Sequence, residues 1–469
     1  MTENVREIAL DALLTLEREK EYSNRLVREV LNKYDYLDSR DKAFIKRLVE
    51  GTLERRLELD YYLDQFSSVP VKKMKPLIRC LLRMSLYQLL YMDAVPDSAV
   101  CNEACKLADR RGFGSLKGFV NGVLRKLARE KDALPLPDRE TQVLQYLSVK
   151  YSMPQWIVEL WQKEYGIEIT ETMLEGLMQV HPVSLRFRTD LPGERQAELC
   201  GELRRSGAQP MQSRYLSYVY TVKLSDSVDS LPGFLEGRYT VQDVSSALAV
   251  EAAGIRSGDF VIDACAAPGG KSILAAEKAE KVLSRDLSSE KTELIRQAAR
   301  RMGADNVQIE IYDATMQDES LKESADVVFL DVPCSGLGVI GKKRDIKYRI
   351  TKEAIQSLAC LQRDIVTVCS RYVKPGGILL YSTCTINVTE NEEMVRYISE
   401  KLPFEPQPLA PLLPEKLLRD KKRLELARRA GGRELSANLS DVQKNACIQL
   451  LPGYMEGDGF FIARFRRKS

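Results

Sequence analysis

Histidine is almost absent: His181 is the only one in 469 residues. A Ser-His-Asp relay would have to run through that one side chain, and a metal site built from several histidines is excluded. His181 stands in VHPVSLRF, before Pro182 at the mouth of an expected strand, where a structural role suits it better than catalysis. Long apolar runs are missing too. No stretch reaches the ~18 residues that a membrane-spanning helix needs. The opening MTENVREIALDALLTLEREKEYSN carries acids inside its apolar stretch and has no small-residue cleavage site, so it reads as neither signal nor transit peptide. A cytoplasmic protein is expected. Ten cysteines contain no CxxC pair, and without an export signal they are expected to be reduced thiols. Fixed-period repeats and low-complexity tracts are lacking, which argues against solenoids, and the turn DACAAPGGKS (263–272) is neither GxGxxG nor GxxxxGK(S/T), so neither a dinucleotide fold nor a nucleoside triphosphatase is indicated. Charge of one sign is also lacking overall, with 70 Lys/Arg against 67 Asp/Glu.

What is present divides the chain. Its length exceeds one ordinary domain of about 100–200 residues, and 44% apolar with 29% charged residues excludes global disorder. Residues 1–70 hold 12 Lys/Arg against 15 Asp/Glu, but residues 71–131 hold 13 against 5, a basic surface of the kind that meets phosphate. Apolar spacing at three and four predicts helices through most of residues 1–135, and ALPLPDRE (133–140) reads as an exit linker. Residues 141–235 mix helices (MPQWIVELWQKEYG, ERQAELCGELRRSG) with strand-like VSLRFRTD and YLSYVYTVKL. They predict a small α+β domain or an N-terminal extension of the next domain. From residue 236 to 469, short apolar runs alternate with helical segments, the pattern of a parallel sheet covered on both faces. Such sheets bind ligands at the carboxyl ends of their strands.

Those strand ends carry the chemistry. DACAAPGGKS (263–272) places small residues and glycines where backbone can approach a ligand at a helix start. Asp286 closes the next strand about 20 residues on, where an acid can bind ribose hydroxyls, and Asp313 closes IEIYD where it can face the base. Together they predict an adenosyl-ligand site. The fourth strand ends in Asp331-Val332-Pro333-Cys334 and the fifth in Tyr381-Ser382-Thr383-Cys384, so each delivers a thiol to the same edge. Cys80, Cys101, Cys105, Cys200, Cys360, Cys369 and Cys447 read as inert small hydrophobes, and no histidine pair makes zinc credible. Two thiols and an acid beside an adenosyl sulfonium suit one reaction in particular. Carbon 5 of a pyrimidine is a poor nucleophile until a thiolate adds at carbon 6. An acid at N3 would stabilise the charge, and a base must later remove the carbon-5 proton. The residues alone do not choose between Cys334 and Cys384 as nucleophile.

With DACAAPGGKS, DVPCSGLGV and YSTCTINVTENEE, and with Gln242-Asp243 before them and DGFFIARF (458–465) after, residues 238–469 resemble the S-adenosylmethionine-dependent RNA cytosine-C5 methyltransferases of the NOL1/NOP2/Sun family. GFVNGVLRKLARE (118–130) and the helices around it resemble a NusB-type RNA-binding domain. The resemblance implies an all-α NusB-like domain, a small α+β domain and a Rossmann-like class I methyltransferase domain. It also implies Cys384 as nucleophile, Cys334 as the thiol that helps release product, Asp331 on the cytosine and the methionine end of the cofactor, and Lys271 within the active site. Cys265, Ala266, Ala267, Pro268, Gly269, Gly270 and Lys271 would bind the cofactor, with Asp286 on ribose and Asp313 near adenine. The domain pairing implies 16S ribosomal RNA, free or in an assembling small subunit, with the target at the position called 967. It implies a monomer that uses no metal and no membrane. Arg344 stands where many relatives have proline, and LLPGYMEGDGFF lacks the histidine often found there. Lys342, Lys343, Arg344, Lys347 and Arg349 are expected to hold phosphates near the site. Lys72, Lys73, Lys75, Arg79, Lys117, Arg125 and Lys126 are expected to add affinity. Thr389 with Glu392 reads as a capping box, and residues 411–435 as a variable basic insertion. A non-catalytic RNA-binding factor and a transfer-RNA methylase are the competing expectations.

Overall fold

The helical periodicity of the N-terminal third is realised in seven α-helices among the described residues: Val5–Arg18, Ser23–Lys33, Ser39–Glu54, Arg56–Phe66, Pro76–Tyr91, Asp97–Arg110 and Lys117–Glu130. The computed structural model describes residues 4–19, 23–179, 182–223, 228–430 and 439–469, so His181 lies outside them. Asn4 and Asp38 cap their helices by accepting from the N–H groups of Arg6 and Asp41. Pro76 begins the helix that buries Ile78, Leu81, Leu82, Met84, Leu86 and Leu89 on several faces, as a central helix must. The last helix buries Val120, Val123, Leu124 and Leu127 and leaves Lys117, Arg125 and Lys126 exposed. Lys72, Lys73 and Lys75 are exposed as well. Arg79 differs from expectation, because its Nε donates to Glu17 at 2.7 Å and its charge is spent inside the fold.

The chain divides into one unit of Met1–Leu160 with Lys342–Arg349 and another of Trp161–Gly341 with Ile350–Ser469. The division falls beyond the proline-containing linker. Val143–Lys150 stays with the helical unit, where Leu147 and Val149 are buried and Ser152 Oγ accepts from the Leu57 N–H at 2.9 Å. Lys342–Arg349 also belongs there. Arg344 donates to Glu54 (3.0 Å) and Glu50 (2.9 Å), and Asp345 accepts from the Ser23 hydroxyl (2.7 Å). The Arg56 guanidinium lies 3.8 Å from the Tyr348 ring centroid. Lys347 is buried with its Nζ on the Glu54 carbonyl at 2.8 Å, and burial lowers its pKa to about 7. Arg344 and Lys347 therefore do not serve as open phosphate holders: Arg344 is paired with two glutamates of this protein, and Lys347 is buried against a backbone carbonyl.

In the second unit, β1 (Val183–Phe187), β2 (Met211–Gln212), β3 (Val219–Val222) and β4 (Tyr239–Val241) form an antiparallel sheet in the order β2-β3-β1-β4. Its core joins Leu185, Phe187, Tyr220 and Tyr239 to Leu199 and Leu203 of the helix Gly193–Arg205. The larger sheet contains β5 (Phe260–Asp263), β6 (Lys281–Asp286), β7 (Val307–Ile311), β8 (Ala325–Asp331), β9 (Val373–Thr383), β10 (Phe404–Pro406), β11 (Cys447–Leu450) and β12 (Phe460–Arg467). Its order is β10-β12-β9-β8-β5-β6-β7, with β11 beside β12. β5 through β9 pair in parallel, and β12 runs antiparallel to β9. The chain of β5, β6 and β7 steps one way and that of β8 and β9 the other. The carboxyl ends of β5 and β8 therefore flank the topological switch point, where such sheets open a crevice.

The expected capping box at Thr389 does not form. The helix Glu392–Lys401 is preceded by Asn391, which makes no side-chain cap bond. The Asn391 amide is drawn inward, accepting from the Thr383 hydroxyl (2.6 Å) and donating to the Thr385 carbonyl (3.1 Å). Glu392 is buried with Oε2 unpartnered, and burial raises its pKa to about 7 from 4.5. The folded state thus holds a proton that the unfolded state releases above 4.5. Stability should fall as pH rises from about 4.5 to about 7, by a few kcal/mol from this group. Glu392→Gln should flatten that slope in urea titrations across the interval. The basic segment 411–435 contributes the helix Glu415–Ala430, and residues 431–438 lie outside the described ones.

Candidate active site

Three strand ends meet the crevice. β5 ends in Asp263 and β8 in Asp331, while β9 ends in Thr383, one residue before Cys384. The pairing register sets Asp331 beside Ser382, and the Ser382 hydroxyl donates to Asp331 Oδ1 at 2.9 Å. Lys271, in the first turn of the helix Gly270–Ala276, donates from Nζ to Asp331 Oδ2 at 2.7 Å and lies 5.1 Å from the Phe460 ring centroid. Both oxygens of Asp331 are held, so the carboxylate has a fixed direction.

The Cys334 and Cys384 sulfurs are 3.3 Å apart, and both are free thiols. The hydrogen bond to Cys384, then burial, pushes the Cys334 thiol well above its ordinary range. A thiol raised in this way keeps its proton, and either sulfur can be the donor in the contact. The two loops approach through backbone. The Gly338 N–H donates to the Cys384 carbonyl (3.1 Å), and the Gly459 N–H to the Gly338 carbonyl (3.0 Å). A Cβ on Gly338 would lie 1.9 Å from the Gly459 oxygen, so only glycine permits this approach. The DGFF segment is anchored in turn by Asp243, whose Oδ1 accepts from the Asp458 N–H at 3.1 Å.

The turn after β5 is tighter than its sequence suggests. The Ala266 N–H goes to the Arg285 carbonyl (2.9 Å) and the Ala267 N–H to Asp286 Oδ2 (2.9 Å). Pro268 and Gly269 come next, and Gly269 has φ +103°, a conformation that side chains oppose. Cys265 is inert because burial holds its thiol far above the ordinary range. Asp286 Oδ1 accepts from the Leu287 N–H (2.8 Å) and Lys291 Nζ (3.0 Å). Asp313 is exposed, and the Thr315 N–H and hydroxyl hold its carboxyl below the usual range. Sequence reasoning passed over Leu287 and Ile311, two exposed apolar side chains at the ends of β6 and β7 beside these acids. It also passed over the buried group of Glu390, Gln362 and Asn387 behind the thiols.

These residues fit an adenosyl sulfonium donor. Asp263 has one buried oxygen with no partner, while Ser272 Oγ donates to the other at 2.7 Å; burial raises its pKa to about 6. Such an acceptor suits a donor-bearing, positively charged ligand. Asp286 Oδ2, with one donor already on it, has an acceptor position left for a hydroxyl, and Leu287 and Ile311 offer apolar surface for a flat ring. Among the described residues no three His, Cys, Asp or Glu side chains are grouped to hold a metal ion. No described helix is long and apolar enough to cross a membrane.

An open parallel sheet with acids and thiols at its switch point defines a Rossmann-like methyltransferase domain. Comparison with known proteins specifies it further. A family model described as 16S rRNA methyltransferase RsmB/F matches residues 252–466, and the NusB family model matches residues 3–129. The Bacillus subtilis protein named probable ribosomal RNA small subunit methyltransferase B is 35% identical over 99% of both chains. The Proteus mirabilis ribosomal RNA small subunit methyltransferase B is 29% identical over 92% of both. The chain therefore belongs to the RsmB/F family of 16S rRNA methyltransferases and is an enzyme of that class. In fold it is similar to the crystal structure of PH0851 (TM-score 0.76, 24% identity, all of both chains). It is also similar to NSun6 from Pyrococcus horikoshii with SFG (TM-score 0.54, 20% identity, 67% of this chain and 98% of that one).

Proposed function

We propose that the enzyme methylates carbon 5 of a cytosine in 16S ribosomal RNA, at the position called 967, through a covalent bond between Cys384 and carbon 6 of the ring. The observation that carries the reading is the 3.3 Å pairing of Cys334 and Cys384 beside a doubly held Asp331. The turn 265–271, Asp286, Asp313 and the apolar Leu287 and Ile311 would hold S-adenosylmethionine, which when bound would supply an electrophilic methyl group.

Cys384, as the thiolate that accepts from Cys334, adds to carbon 6, and the electron pair of the carbon 5–carbon 6 double bond moves to carbon 5. Asp331 faces the charge that spreads to N3 and passes a proton there, with the Lys271 ammonium behind it as the source. Carbon 5 takes the methyl group with that electron pair, and the sulfur–methyl bond would break with its electrons left on sulfur, so that the donor leaves as the neutral thioether S-adenosylhomocysteine. The chief cause of Cys334's raised pKa is its hydrogen bond to Cys384. Once Cys384 is a neutral thioether that cause is gone, so Cys334 gives up its proton to solvent and, as thiolate, is the base that removes the carbon-5 proton. The carbon 5–carbon 6 double bond re-forms, Cys384 departs as thiolate with the electrons of its bond to carbon 6, and N3 returns its proton to Asp331.

The cytosine must leave any stack to reach these sulfurs, so a flipped or single-stranded nucleotide is the substrate form. Lys72, Lys73, Lys75, Lys117, Arg125 and Lys126 are exposed and suit backbone phosphates. Lys347→Met should leave the salt slope of RNA binding unchanged, whereas Lys126→Met should lower it by about one; titrations at several salt concentrations separate them. The whole reading is tested by incubating unmodified 16S RNA, or small subunits lacking the modification, with labelled cofactor and locating the product by bisulfite sequencing. Label at any atom other than carbon 5 of a cytosine would overturn the chemistry, and 5-methylcytosine elsewhere would overturn the position.

A further inference from the structure

We propose that Glu390 is a positioning residue that holds the loops of Cys334 and Cys384 together. The inference rests on the two-thiol mechanism and extends it to a residue that touches neither sulfur. Glu390 is fully buried on the turn before the helix Glu392–Lys401. Four donors converge on its carboxylate. Oε2 accepts from the Ser335 N–H (2.9 Å) and Gln362 Nε2 (2.9 Å), and Oε1 from Asn387 Nδ2 (3.2 Å) and the Ser335 hydroxyl.

An ionised carboxylate accepts only, with about four sites, so the count is matched. The neighbouring hydroxyls then have one consistent direction. The Leu337 N–H donates to Thr385 Oγ1 (3.3 Å), the Thr385 hydroxyl to Ser335 Oγ (2.7 Å), and the Ser335 hydroxyl to Glu390. Gln362 gives its second amide hydrogen to the Pro333 carbonyl at 2.8 Å. Glu390 and Gln362 thus fix the residues on both sides of Cys334, and the hydroxyl chain fixes the residue after Cys384. A buried polar network of this kind is rigid when every member is satisfied and costly when one is not. Burial raises the pKa of Glu390, and the four donors oppose that rise. Its charge also favours the protonated form of Cys334, in line with the hydrogen bond between the thiols.

Glu390→Gln preserves shape but offers one acceptor atom and turns an amide N–H towards Ser335 or Gln362. The expected result is a kcat lower by about 10²-fold, the usual cost of misplacing reacting groups by about 1 Å, with KM for RNA within about twofold. Alkylation of Cys334 by iodoacetamide, compared between Cys384→Ser and Cys384→Ser/Glu390→Gln by mass spectrometry, should be about tenfold faster at pH 8 in the latter. Both changes in a folded variant support the proposal. A kcat within twofold of the parent, or an unchanged alkylation profile, overturns it. If Glu390→Gln does not fold, Gln362→Met, which releases the Pro333 carbonyl and one donor to Glu390 but keeps the Glu390 charge, is read by kcat and KM alone: a kcat within twofold of the parent overturns the proposal. If the parent enzyme makes no 5-methylcytosine, the methylation reading fails and the alkylation comparison alone decides for Glu390.

Discussion

Exchange of Cys334 for serine should turn the enzyme into a trap for its own substrate. Serine has no thiolate to remove the carbon-5 proton after methylation, while Cys384 can still add to carbon 6, so the reaction should stop at the adduct. A denaturing gel should then show labelled RNA migrating with the protein. Cys384→Ser should give the opposite pattern. A serine hydroxyl is not ionised near pH 7, so turnover should fall on the order of 10⁴-fold or more with no adduct. The pair of results separates the roles of two sulfurs only 3.3 Å apart, which proximity alone cannot do. An adduct that accumulated in Cys384→Ser and not in Cys334→Ser would reverse the assignment.

The strand ends were legible because each apolar run stops at a polar residue, and a parallel sheet sends those stops to one edge. Asp263, Asp286, Asp331 and Cys384 follow from that rule alone. Partner choice over long sequence separations was not legible. The basic run GKKRDIKYR reads as a solvated, phosphate-seeking loop, yet Arg344 finds Glu50 and Glu54 about 290 residues away. Arg79 likewise finds Glu17. The acids of TENEE were ambiguous for another reason. An acid near a helix start serves as a cap or as a buried acceptor with the same local spacing, and the choice at Glu390 was made by Ser335, Gln362 and Asn387. That residues beyond the linker pack with the helical unit was not legible, because Ser152 accepts from the N–H of Leu57, a contact no linker composition reveals.

Asp331→Asn should be the most damaging change that leaves both thiols in place. The amide keeps the size of the carboxyl group but cannot relay a proton. It must also point an N–H at either Ser382 Oγ or Lys271 Nζ, both of which donate to the native carboxylate. Loss of a preorganised group facing the developing charge costs roughly 10²–10³-fold in kcat. The change also leaves the buried Lys271 ammonium without its carboxylate, so stability is measured alongside activity by urea titration. The decisive measurement combines Asp331→Asn with Cys334→Ser. If N3 must be neutralised while Cys384 adds, the double variant should accumulate adduct far more slowly than Cys334→Ser alone. Lys271→Met should impose a similar delay, and adding it to Asp331→Asn should cost little more, since the two act as a unit. Adduct formation at the undiminished rate in Cys334→Ser/Asp331→Asn would place the acid outside the addition step and leave it only the orientation of Lys271.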